Sequence, residues 1–549
     1  MKDKSSETEL PDLEDNLLPP IPSSWCWATP RELASQDGNA LAIGPFGSNL
    51  KVSDYQSDGV PLVFVRNIRS TTFGGSSTRF VSASKACELA AHSVDAGDIL
   101  VTKMGDPPGD ACAYPEGEPR AIITADCIKF RLHIRLGVPR FFVHAINSLI
   151  GRRQIALITK GVAQQKVSLG RFVQLRLPVP PLNEQCRIVA KIEELYSDLD
   201  AGVEALERIR ANLKRYRAAI LKAAVEGKLT EEWRAEHPKT EPASKLLERI
   251  LAGRRRKWEE DQLSMFAAAD KTPPKGWQKR YVESYVSDAS GLPELPQGWC
   301  WASVDQLASP LPRSIQSGPF GSNLLHSEFQ DNGVLAIGID NVLDGAFSLG
   351  RQHRISASKF SDLIKYEARP LDVLITVMAT VGRCCVVPED CEPAIITKHV
   401  YRVTSDQQLV NSYFLQLCFS GGSEVRNQIR GNVRGQTRPG INGVILRAVA
   451  IPLPHLAEQQ QIIAEVEQRL SIIGAAQAQV DANLKRASRL RQSILERAFE
   501  GRLVPQDPTD EPADKLLDRI RQERAGSNCS MAQRNRRGGV SRRQEATSP

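Results

Sequence analysis

Two long stretches of the chain carry apolar residues at steps of three and four positions, with charged residues filling the places between them. In the first stretch, 177–229, this spacing puts the apolar side chains on one face of an α-helix. Pro181 precedes the periodic run and Gly227 closes it, and these residue types begin and end helices. The pattern therefore predicts about 45 helical residues, or roughly 65 Å of helix.

The second stretch begins at Ile451 and repeats the first. Nine residues recur 274 positions later, from Pro178 at Pro452 to Leu229 at Leu503. A long apolar stripe is unstable in water without a partner, so we expect the two helices to pack antiparallel about a pseudo-twofold axis. The residues predicted to form this contact are Ile188, Ile192, Leu195, Leu199, Leu206, Leu213, Ile462, Val466, Leu470, Ile473, Val480 and Leu484.

The repeat extends beyond the two helices. Three further blocks recur at the same spacing: WCWA at 25–28 and 299–302, GPFGSNL at 44–50 and 318–324, and SASK at 82–85 and 356–359. Short runs rich in β-branched residues predict strands between these blocks, at 60–65, 98–102, 121–124 and 129–134. Amphipathic spacing predicts short helices at 141–150 and 412–418.

The predicted fold is a duplicated α/β (mixed α+β) module, with the two copies separated by two long antiparallel, coiled-coil-like helices. The predicted parts are an N-terminal extension (1–19), a first module (20–181), a first helix (182–230), a connecting segment (231–293), a second module (294–455), a second helix (456–503) and a tail (504–549). The connecting segment lacks lasting periodicity and is expected to be extended. The tail is nearly free of apolar residues from Arg521 and is expected to be partly disordered.

Composition narrows the function only slightly. A net charge of +7 is compatible with a polyanionic partner. No run of 18 apolar residues appears and the acidic N-terminus lacks an apolar signal-peptide region, so a cytoplasmic protein is expected. The 11 cysteines are scattered without C-x-x-C pairs, which favours buried free thiols over disulfides or zinc.

One short segment invites an enzymatic interpretation. Asp106-Pro107-Pro108-Gly109 resembles the acidic, proline-containing segment with which amino-group DNA methyltransferases hold a flipped base. Gly109 stands where the stacking aromatic ring is needed, and the duplicated segment 379–382 lacks the acid and both prolines. A turn is therefore the favoured interpretation. The sequence contains no other nucleophile, metal or cofactor motif.

The loops of the modules supply candidate DNA contacts. In GPFGSNL, Phe46 is expected to anchor the loop in the core, while Ser48 and Asn49 either contact DNA or only shape a turn. Segment 161–166 corresponds to 435–440, so Gln164 aligns with Arg438. Glutamine is able to bind adenine and arginine to bind guanine, so this difference suits two modules that read different bases. The alternative is an exposed loop that tolerates substitution. The candidate DNA-binding residues are Ser48, Asn49, Lys51, Arg66, Asn67, Arg69, Lys103, Lys160, Gln164, Gln165, Lys166, Ser322, Asn323, Asn341, Arg434, Gln436 and Arg438.

The repeated motifs also resemble a known family. Twin WCWA blocks, twin GPFGSNL loops and twin P-x-P-x-L-x-E-Q segments that run into long helices resemble the specificity subunit of type I restriction-modification enzymes. The resemblance covers about residues 20–520. It implies that 20–181 and 294–455 are target recognition domains, each reading one half of a split DNA sequence.

The resemblance also implies partners. The paired helices would fix the gap between the half-sites and dock two modification subunits, with restriction subunits bound through that core. S-adenosylmethionine would belong to the modification subunits, ATP and magnesium to the restriction subunits, and no cofactor to this chain. A self-sufficient adenine-specific DNA methyltransferase and a coiled-coil scaffold that does not bind DNA are the alternatives.

Overall fold

The computed structural model describes residues 18–525, apart from 75–78, 162–164, 351, 406, 408–409 and 432–439. The described chain forms two compact units: 1–206 together with 482–549, called here the first unit, and 207–481, the second unit. Each unit contains one globular module and one portion of each long helix. Within the described residues, no helix combines the length and apolar character needed to cross a membrane.

The first unit is built from short strands and helices. Its strands are β1 (Cys26–Ala28), β2 (Leu41–Ile43), β3 (Val60–Val63), β4 (Phe80–Val81), β5 (Ser93–Val94), β6 (Ile99–Thr102), β7 (Ala111–Ala113), β8 (Ala121–Ile123), β9 (Cys127–Phe130) and β10 (Leu177–Val179). Its helices are α1 (Pro30–Leu33), α2 (Ala83–Glu88), α3 (Pro139–Asn147), α4 (Leu149–Ile158), α5 (Leu169–Phe172) and the beginning of α6 (Leu182–Val225).

Two four-stranded sheets form the centre of this module, in the orders β2-β9-β6-β7 and β4-β3-β8-β5. The first sheet is antiparallel, whereas β3 and β8 run parallel in the second. β1 pairs with β10, which places the WCWA block beside the strand that leads into α6. The main core lies between the first sheet and α3, with Phe130, Phe141 and Phe172 fully buried.

The second unit repeats this architecture with one addition. Its strands are β11 (Cys300–Ser303), β12 (Ile315–Ser317), β13 (Val334–Ile337), β14 (Val342–Leu343), β15 (Ala346–Phe347), β16 (His353–Ile355), β17 (Glu367–Ala368), β18 (Val373–Thr376), β19 (Cys384–Val386), β20 (Ala394–Ile396), β21 (Val400–Val403) and β22 (Ala450–Leu453). Its helices, after the end of α6, are α7 (Glu231–Glu236), α8 (Ala243–Ala268), α9 (Val304–Leu307), α10 (Ala357–Asp362), α11 (Ser412–Gly421), α12 (Ser423–Gly431), α13 (Gly443–Ala448) and the beginning of α14 (Leu456–Phe499).

The sheet orders of the second unit are β12-β21-β18-β19 and β16-β13-β20-β17, and β11 pairs with β22. Each strand occupies the place of its counterpart in the first unit, and only the β14–β15 hairpin is additional among the described strands. The predicted duplication of an α/β module is therefore confirmed. Trp27 in β1 and Trp301 in β11 occupy equivalent positions in the β1–β10 and β11–β22 pairs.

Both long helices begin where the sequence predicts, at 182 and 456, and end at 225 and 499, a few residues before the predicted bounds of 230 and 503. α6 and α14 contain 44 residues each. Gly227 and Gly501 follow them in the left-handed conformation, each with φ of 70°. A residue with a Cβ atom is strained there, which explains why both helices end at glycine.

The helices run antiparallel in both units. In the first unit, Tyr196 donates a hydrogen bond to the carbonyl of Arg491 at 3.3 Å. In the second unit, Arg210 pairs with Asp481 at 3.6 Å, and Thr230, beyond the end of α6, donates to Glu458 near the start of α14 at 2.7 Å. The partner number falls as the number along α6 rises, which is the antiparallel direction that the sequence predicts. Charged and aromatic side chains at the edges of the contact thus fix its register.

The predicted contact residues are all at least partly removed from solvent. Six are buried: Ile188, Ile192, Ile462, Val466, Ile473 and Val480. The others are half-buried: Leu195, Leu199, Leu206, Leu213, Leu470 and Leu484. Ile209 fits the same sequence pattern but is 45% exposed, so the stripe is narrower in the second half of α6 than periodicity indicates. The ends of the stripe pack into the cores of the modules, as Ile188 and Ile192 do.

The expectation of an extended connecting segment is wrong. α8 is a helix of 26 residues, and its Ala243, Leu246 and Ile250 are buried in the core of the second unit. The tail contains an equivalent helix at 513–525, whose Ala513, Leu517 and Ile520 are buried in the core of the first unit. Each of these helices buries only a few apolar residues. Charged residues dominate the rest of each segment, so the sequence pattern did not indicate a helix.

The tail expectation is corrected for the same reason. Residues 521–525, expected to be disordered, continue the helix that begins at 513. Arg521 forms an ion pair with Glu32 of the first module, so its charge contributes to this packing. Residues 526–549 lie outside the described residues.

Two boundaries inside the first module also differ from expectation. The strand expected at 129–134 lies at Cys127–Phe130, because Lys129 is buried inside it and interrupts the apolar pattern. The Lys129 ammonium donates to the carbonyl of Ser93 at 2.8 Å. The helix expected at 141–150 is divided at Ser148, which caps α4 through a hydrogen bond from Gly151.

Candidate nucleic-acid interface

The candidate DNA-binding residues of the first module come from loops that lie at one end of its sheets. β6 and β9 are antiparallel with Thr102 opposite Cys127, so the end of β6 adjoins the start of β9. β2 is antiparallel to β9 as well, which brings its end at Ile43 to the same edge. Thr124, between β8 and β9, donates to the carbonyl of Val63 at the end of β3. The loops after β2, β3, β6 and β8 therefore share one surface, called here the loop face.

The GPFGSNL loop approaches its neighbours too closely for any side chain at its first position. A Cβ atom on Gly44 would lie 2.1 Å from the backbone of Thr124, and one on Gly318 would lie 2.2 Å from that of Thr397. Contacts this short are excluded by van der Waals repulsion, so both positions require glycine. The loop is thus held against the sheet edge through its backbone.

The expected role of Phe46 is wrong. The ring is 59% exposed and does not enter the core, and Phe320 in the second module is 56% exposed. The loop reaches its shape without the ring because backbone approach at Gly44 and a left-handed Gly47 at φ of 49° define it. The same exposed phenylalanine thus occurs at this position in both repeats.

The polar residues of the same loop are also presented to solvent. The amide of Asn49 donates to the carbonyl of Phe46 at 3.0 Å and closes a short turn. Ser48, Asn49 and Lys51 are exposed around it. In the second module, Ser322 and Asn323 are exposed in the equivalent turn. Their hydroxyl and amide groups are available for hydrogen bonds to phosphate oxygens or base edges.

Lysines surround this loop in the first module. The ammonium of Lys103 lies 4.8 Å from the centroid of the Phe46 ring and donates to the carbonyl of Ala125 at 3.2 Å. Lys160 and Lys166 pair with each other through their backbones, and Lys166 also bridges to Met104. Among the ion pairs of the described residues, none involves Lys51, Lys103, Lys160 or Lys166. These lysines therefore have no ion-pair partner within the described chain, although Asp106 and Asp126 lie in the loops after β6 and β8.

Two of the candidate asparagines are structural. Asn67 and Asn341 are 2% and 1% exposed. Asn67 accepts a hydrogen bond from the amide of Phe64 and donates to the carbonyl of Gly74. Asn341 makes the equivalent pair of bonds, to the amide of Gly338 and the carbonyl of Ser348. Each amide is used to hold a loop, so neither is placed to contact a ligand.

The remaining candidates divide into described and undescribed residues. Arg66 and Arg69 are exposed, and the guanidinium of Arg66 lies 4.4 Å from the centroid of the Phe64 ring. Gln165 is half-buried. Four candidates lie outside the described residues: Gln164, Arg434, Gln436 and Arg438.

The charges of the loop face differ between the modules. Leu325 and Val377 stand at the positions of Lys51 and Lys103. Conversely, the exposed Lys398 of the second module stands where the first has alanine. The scaffold of the loop face is therefore shared, whereas its charged side chains are not. Such divergence on a common scaffold is what two readers of different sequences require.

The segment Asp106–Gly109 forms the turn that the sequence favours. It connects the antiparallel strands β6 and β7, and the amide of Gly109 donates to the carbonyl of Thr102 at 3.0 Å. Asp106 is exposed, and Gly109 takes a φ of 99° that disfavours an aromatic side chain. The segment thus lacks the aromatic ring against which a flipped base is stacked.

A duplicated hydrogen bond joins each module to its long helix. The indole of Trp25 donates to Glu184 and that of Trp299 donates to Glu458, both at 3.0 Å. Glu458 is also paired with Arg234, whereas burial raises the pKa of Glu184 above its usual value. These carboxylates are 1% and 4% exposed, so they fix the WCWA strand on the helix and do not face a ligand.

The cysteines carry no metal or disulfide chemistry in the described residues. All ten described cysteines are free, and no group of three or more His, Cys, Asp or Glu side chains could hold a metal ion there. Burial raises the pKa of Cys112 and Cys127 to about 12, which keeps both as thiols. Cys87 and Cys186 are exposed, which corrects the expectation that the thiols are buried.

Comparisons with known proteins agree with this architecture. A family model described as the type I restriction modification DNA specificity domain matches residues 94–208 and 354–479. Each match begins inside a module and extends into the following long helix. The two matches thus cover equivalent parts of the duplicated chain.

Relatives and a solved structure are similar over most of the chain. The EcoBI specificity subunit of Escherichia coli is 25% identical over 97% of this chain and 99% of its own length. The EcoKI specificity subunit of Escherichia coli (strain K12) is 26% identical over 72% of this chain and 74% of its own length. A solved chain of a type I R-M system superposes with a TM-score of 0.58 at 19% identity, over 88% of this chain and all of that chain. This last similarity supports the fold.

Proposed function

Since this chain belongs to the family of type I restriction-modification DNA specificity subunits, we propose that each of its modules reads one half of a split DNA sequence. The observation that carries this proposal is the loop face. Two copies of one scaffold present different charged side chains around an identical GPFGSNL loop. Identical side chains would give two identical half-sites, whereas divergent ones suit an asymmetric sequence.

The long helices set the gap between the half-sites in this proposal. α6 is one continuous helix of 44 residues, or about 65 Å at 1.5 Å per residue. Its antiparallel pairing with α14 in each unit limits bending, because bending would break the buried contacts. The outward faces of the two helices carry charged residues, and they provide two equivalent surfaces on which two modification subunits dock.

In this proposal the partner subunits carry out the catalytic reactions. The modification subunits bind S-adenosylmethionine and transfer its methyl group, and the restriction subunits use ATP and magnesium. This chain recognises the sequence and holds the assembly together without catalysis. The turn at Asp106–Gly109 supports that division, because Gly109 stands where a base-stacking ring would be needed. In this proposal the activity is cytoplasmic.

Mapping of methylated bases tests the proposal. The chain is combined with its modification subunits and S-adenosylmethionine, and methylated positions are mapped on genomic DNA. We expect one split sequence with two different halves. A chimera that carries residues 40–175 of a relative should change one half and leave the other half and the gap unchanged, because each module folds around its own core.

The two alternatives give different outcomes in the same experiment. Methylation by the chain without modification subunits would establish a self-sufficient methyltransferase. Methylation by the modification subunits at an unchanged sequence, with or without this chain, would leave it as a scaffold that does not read DNA. A chimera that alters both halves would exclude independent reading by the two modules.

A further inference from the structure

The exposed phenylalanines of the two GPFGSNL loops are not part of the core of the described chain. Phe46 and Phe320 are 59% and 56% exposed, although the preceding glycine and proline are buried in both loops. The backbone carbonyl of each phenylalanine accepts the hydrogen bond that closes the turn, from Asn49 and Asn323. Backbone contacts therefore fix the position of each ring in space without help from the ring itself.

The two loops have identical sequences, whereas the residues around them differ between the modules. Both contain the same seven residues, whereas Lys51 and Lys103 around the first loop are replaced by Leu325 and Val377 around the second. Residues that differ between modules are able to distinguish two half-sites. An identical exposed ring cannot distinguish them, so it serves an interaction that both modules make in the same way.

The charge around the rings indicates a polyanionic partner. Lys103 lies 4.8 Å from the centroid of the Phe46 ring. Lys398 follows Thr397, whose backbone the second loop abuts at Gly318, and it is exposed. An apolar ring flanked by a cation suits duplex DNA, where phosphates lie beside apolar sugar rings and base steps.

We propose that Phe46 and Phe320 are apolar contacts that pack against the sugars or a base step of the duplex, one in each half-site and independently of its sequence. This inference rests on the proposed function and assigns the ring a role that the candidate base-reading residues do not have. Inserted phenylalanine side chains unstack base steps and bend DNA in other complexes. The loop offers the rigidity that such a contact requires, because Gly44 and Gly318 seat it directly on backbone.

Binding measurements on the assembled complex test this inference. Phe46→Ala, Phe320→Ala and the milder Phe46→Leu are prepared in the full chain with its modification subunits. Affinity is measured as a function of salt for a duplex with the methylated sequence and for a duplex without it. The matched controls are Ile134→Ala, four residues after β9, and Leu311→Ala, four residues before β12; both residues are exposed and apolar and lie outside the loops of the loop face.

We expect each alanine variant to lower the affinity for both duplexes by about tenfold or more, with the leucine variant in between. The slope of log affinity against log salt should stay unchanged, since a neutral ring displaces no counterions. The control variants should bind like the unaltered chain.

Three results separate the possible failures. Unchanged affinity of both alanine variants, in complexes of normal composition, would overturn the inference. Loss of the modification subunits from the alanine variants would overturn it as well, because the rings would then be a protein docking surface. Equal affinity of the unaltered complex for the two duplexes would instead overturn the proposed function.

Discussion

At the residue scale, His144 in α3 is a buried imidazole without a counterpart in the second module. It is 6% exposed, and its Nδ1 atom has no hydrogen-bond partner among the described residues. Burial lowers its pKa to about 4, with a small opposing contribution from Glu193 and a small supporting one from Arg140. The equivalent position in α11 holds Leu417, which is also buried.

This substitution between modules gives a pH prediction. Unfolded His144 has a pKa near 6.5, so unfolding takes up a proton between about pH 6.5 and pH 4. Neutral His144 makes its full contribution to the free energy of unfolding above pH 6.5. This contribution falls by up to about 3 kcal/mol as the pH is lowered toward 4. His144→Leu should remove this loss.

Thermal unfolding of the two chains at pH 7 and pH 4.5 checks the prediction. The unaltered chain should lose more stability between these pH values than the His144→Leu variant, since leucine does not titrate. Equal losses in both chains would contradict the assignment of the pH dependence to this residue. Comparison of the two chains cancels the contribution of Glu184, whose raised pKa acts in the opposite direction.

The burial and contacts of individual side chains were the hardest features to predict from the sequence. Asn67 and Asn341 looked like surface contacts, but each bonds to loop backbone that only the folded chain brings near. Phe46 looked like a core anchor because most phenylalanines are buried. The loop is held instead by the close approach of Gly44 to the backbone of Thr124 at the sheet edge. A loop of seven residues has no periodicity that would predict such a contact.

At the scale of elements, the helix at 513–525 belongs to the core of the first unit. The amide of Ala513 donates to the carbonyl of Ser24, and the amide of Ala243 at the start of α8 donates to that of Gly298. Ile520 is fully buried and Ile250 is 5% exposed in these two helices. The segment after each long helix thus docks on the module within its own unit through the same contact.

Removal of one buried side chain tests this docking. Ile520→Ala leaves a cavity and should lower the free energy of unfolding of the first unit by about 2–5 kcal/mol. Lys515→Ala, on the exposed face of the same helix, should change it by less than about 0.5 kcal/mol. Hydrogen exchange of peptides from β1 and α1 reports the stability of the first unit. Equal exchange in the two variants would show that the helix is not part of this core.

The elements that were predicted correctly share a strong local pattern. α6 and α14 extend over about twelve turns and are each followed by a glycine, with Pro181 directly before α6 and Pro454 two residues before α14. The apolar period is therefore repeated often enough to be recognised in the sequence. α8 buries only three residues, all in its first three turns, and charged residues fill 254–261 after them apart from Trp258. A period that occurs so few times cannot be separated from chance, and this is why that helix was missed.

At the scale of the whole molecule, the duplication was readable because it rests on identity between distant parts of one chain. Blocks that recur 274 residues apart predict a second copy of whatever fold the first adopts, even when that fold is unknown. The matching sheet orders of the two units follow from this. What each module recognises could not be read, because hydrogen bonds to bases depend on the placement of single side chains.

The continuity of the long helices through both units gives the prediction that belongs to this scale. Four residues are added to α6 between Leu206 and Leu213, and four to α14 between Val480 and Leu484, so that the antiparallel register is kept. Each addition lengthens its helix by about 6 Å. Because the duplex rises about 3.4 Å per base pair, the gap between the half-sites should grow by about two base pairs.

Methylation mapping with the lengthened chain measures the gap directly. The half-site sequences should stay the same, since both modules keep their loop faces and cores. A control chain with four exposed helix residues changed to alanine at the same places, and no change in length, should keep the original gap. If the lengthened chain still directs methylation but the gap is unchanged, the helices do not set the distance between half-sites. The spacing would then depend on the modification subunits, which would hold the modules at positions that the length of α6 and α14 does not determine.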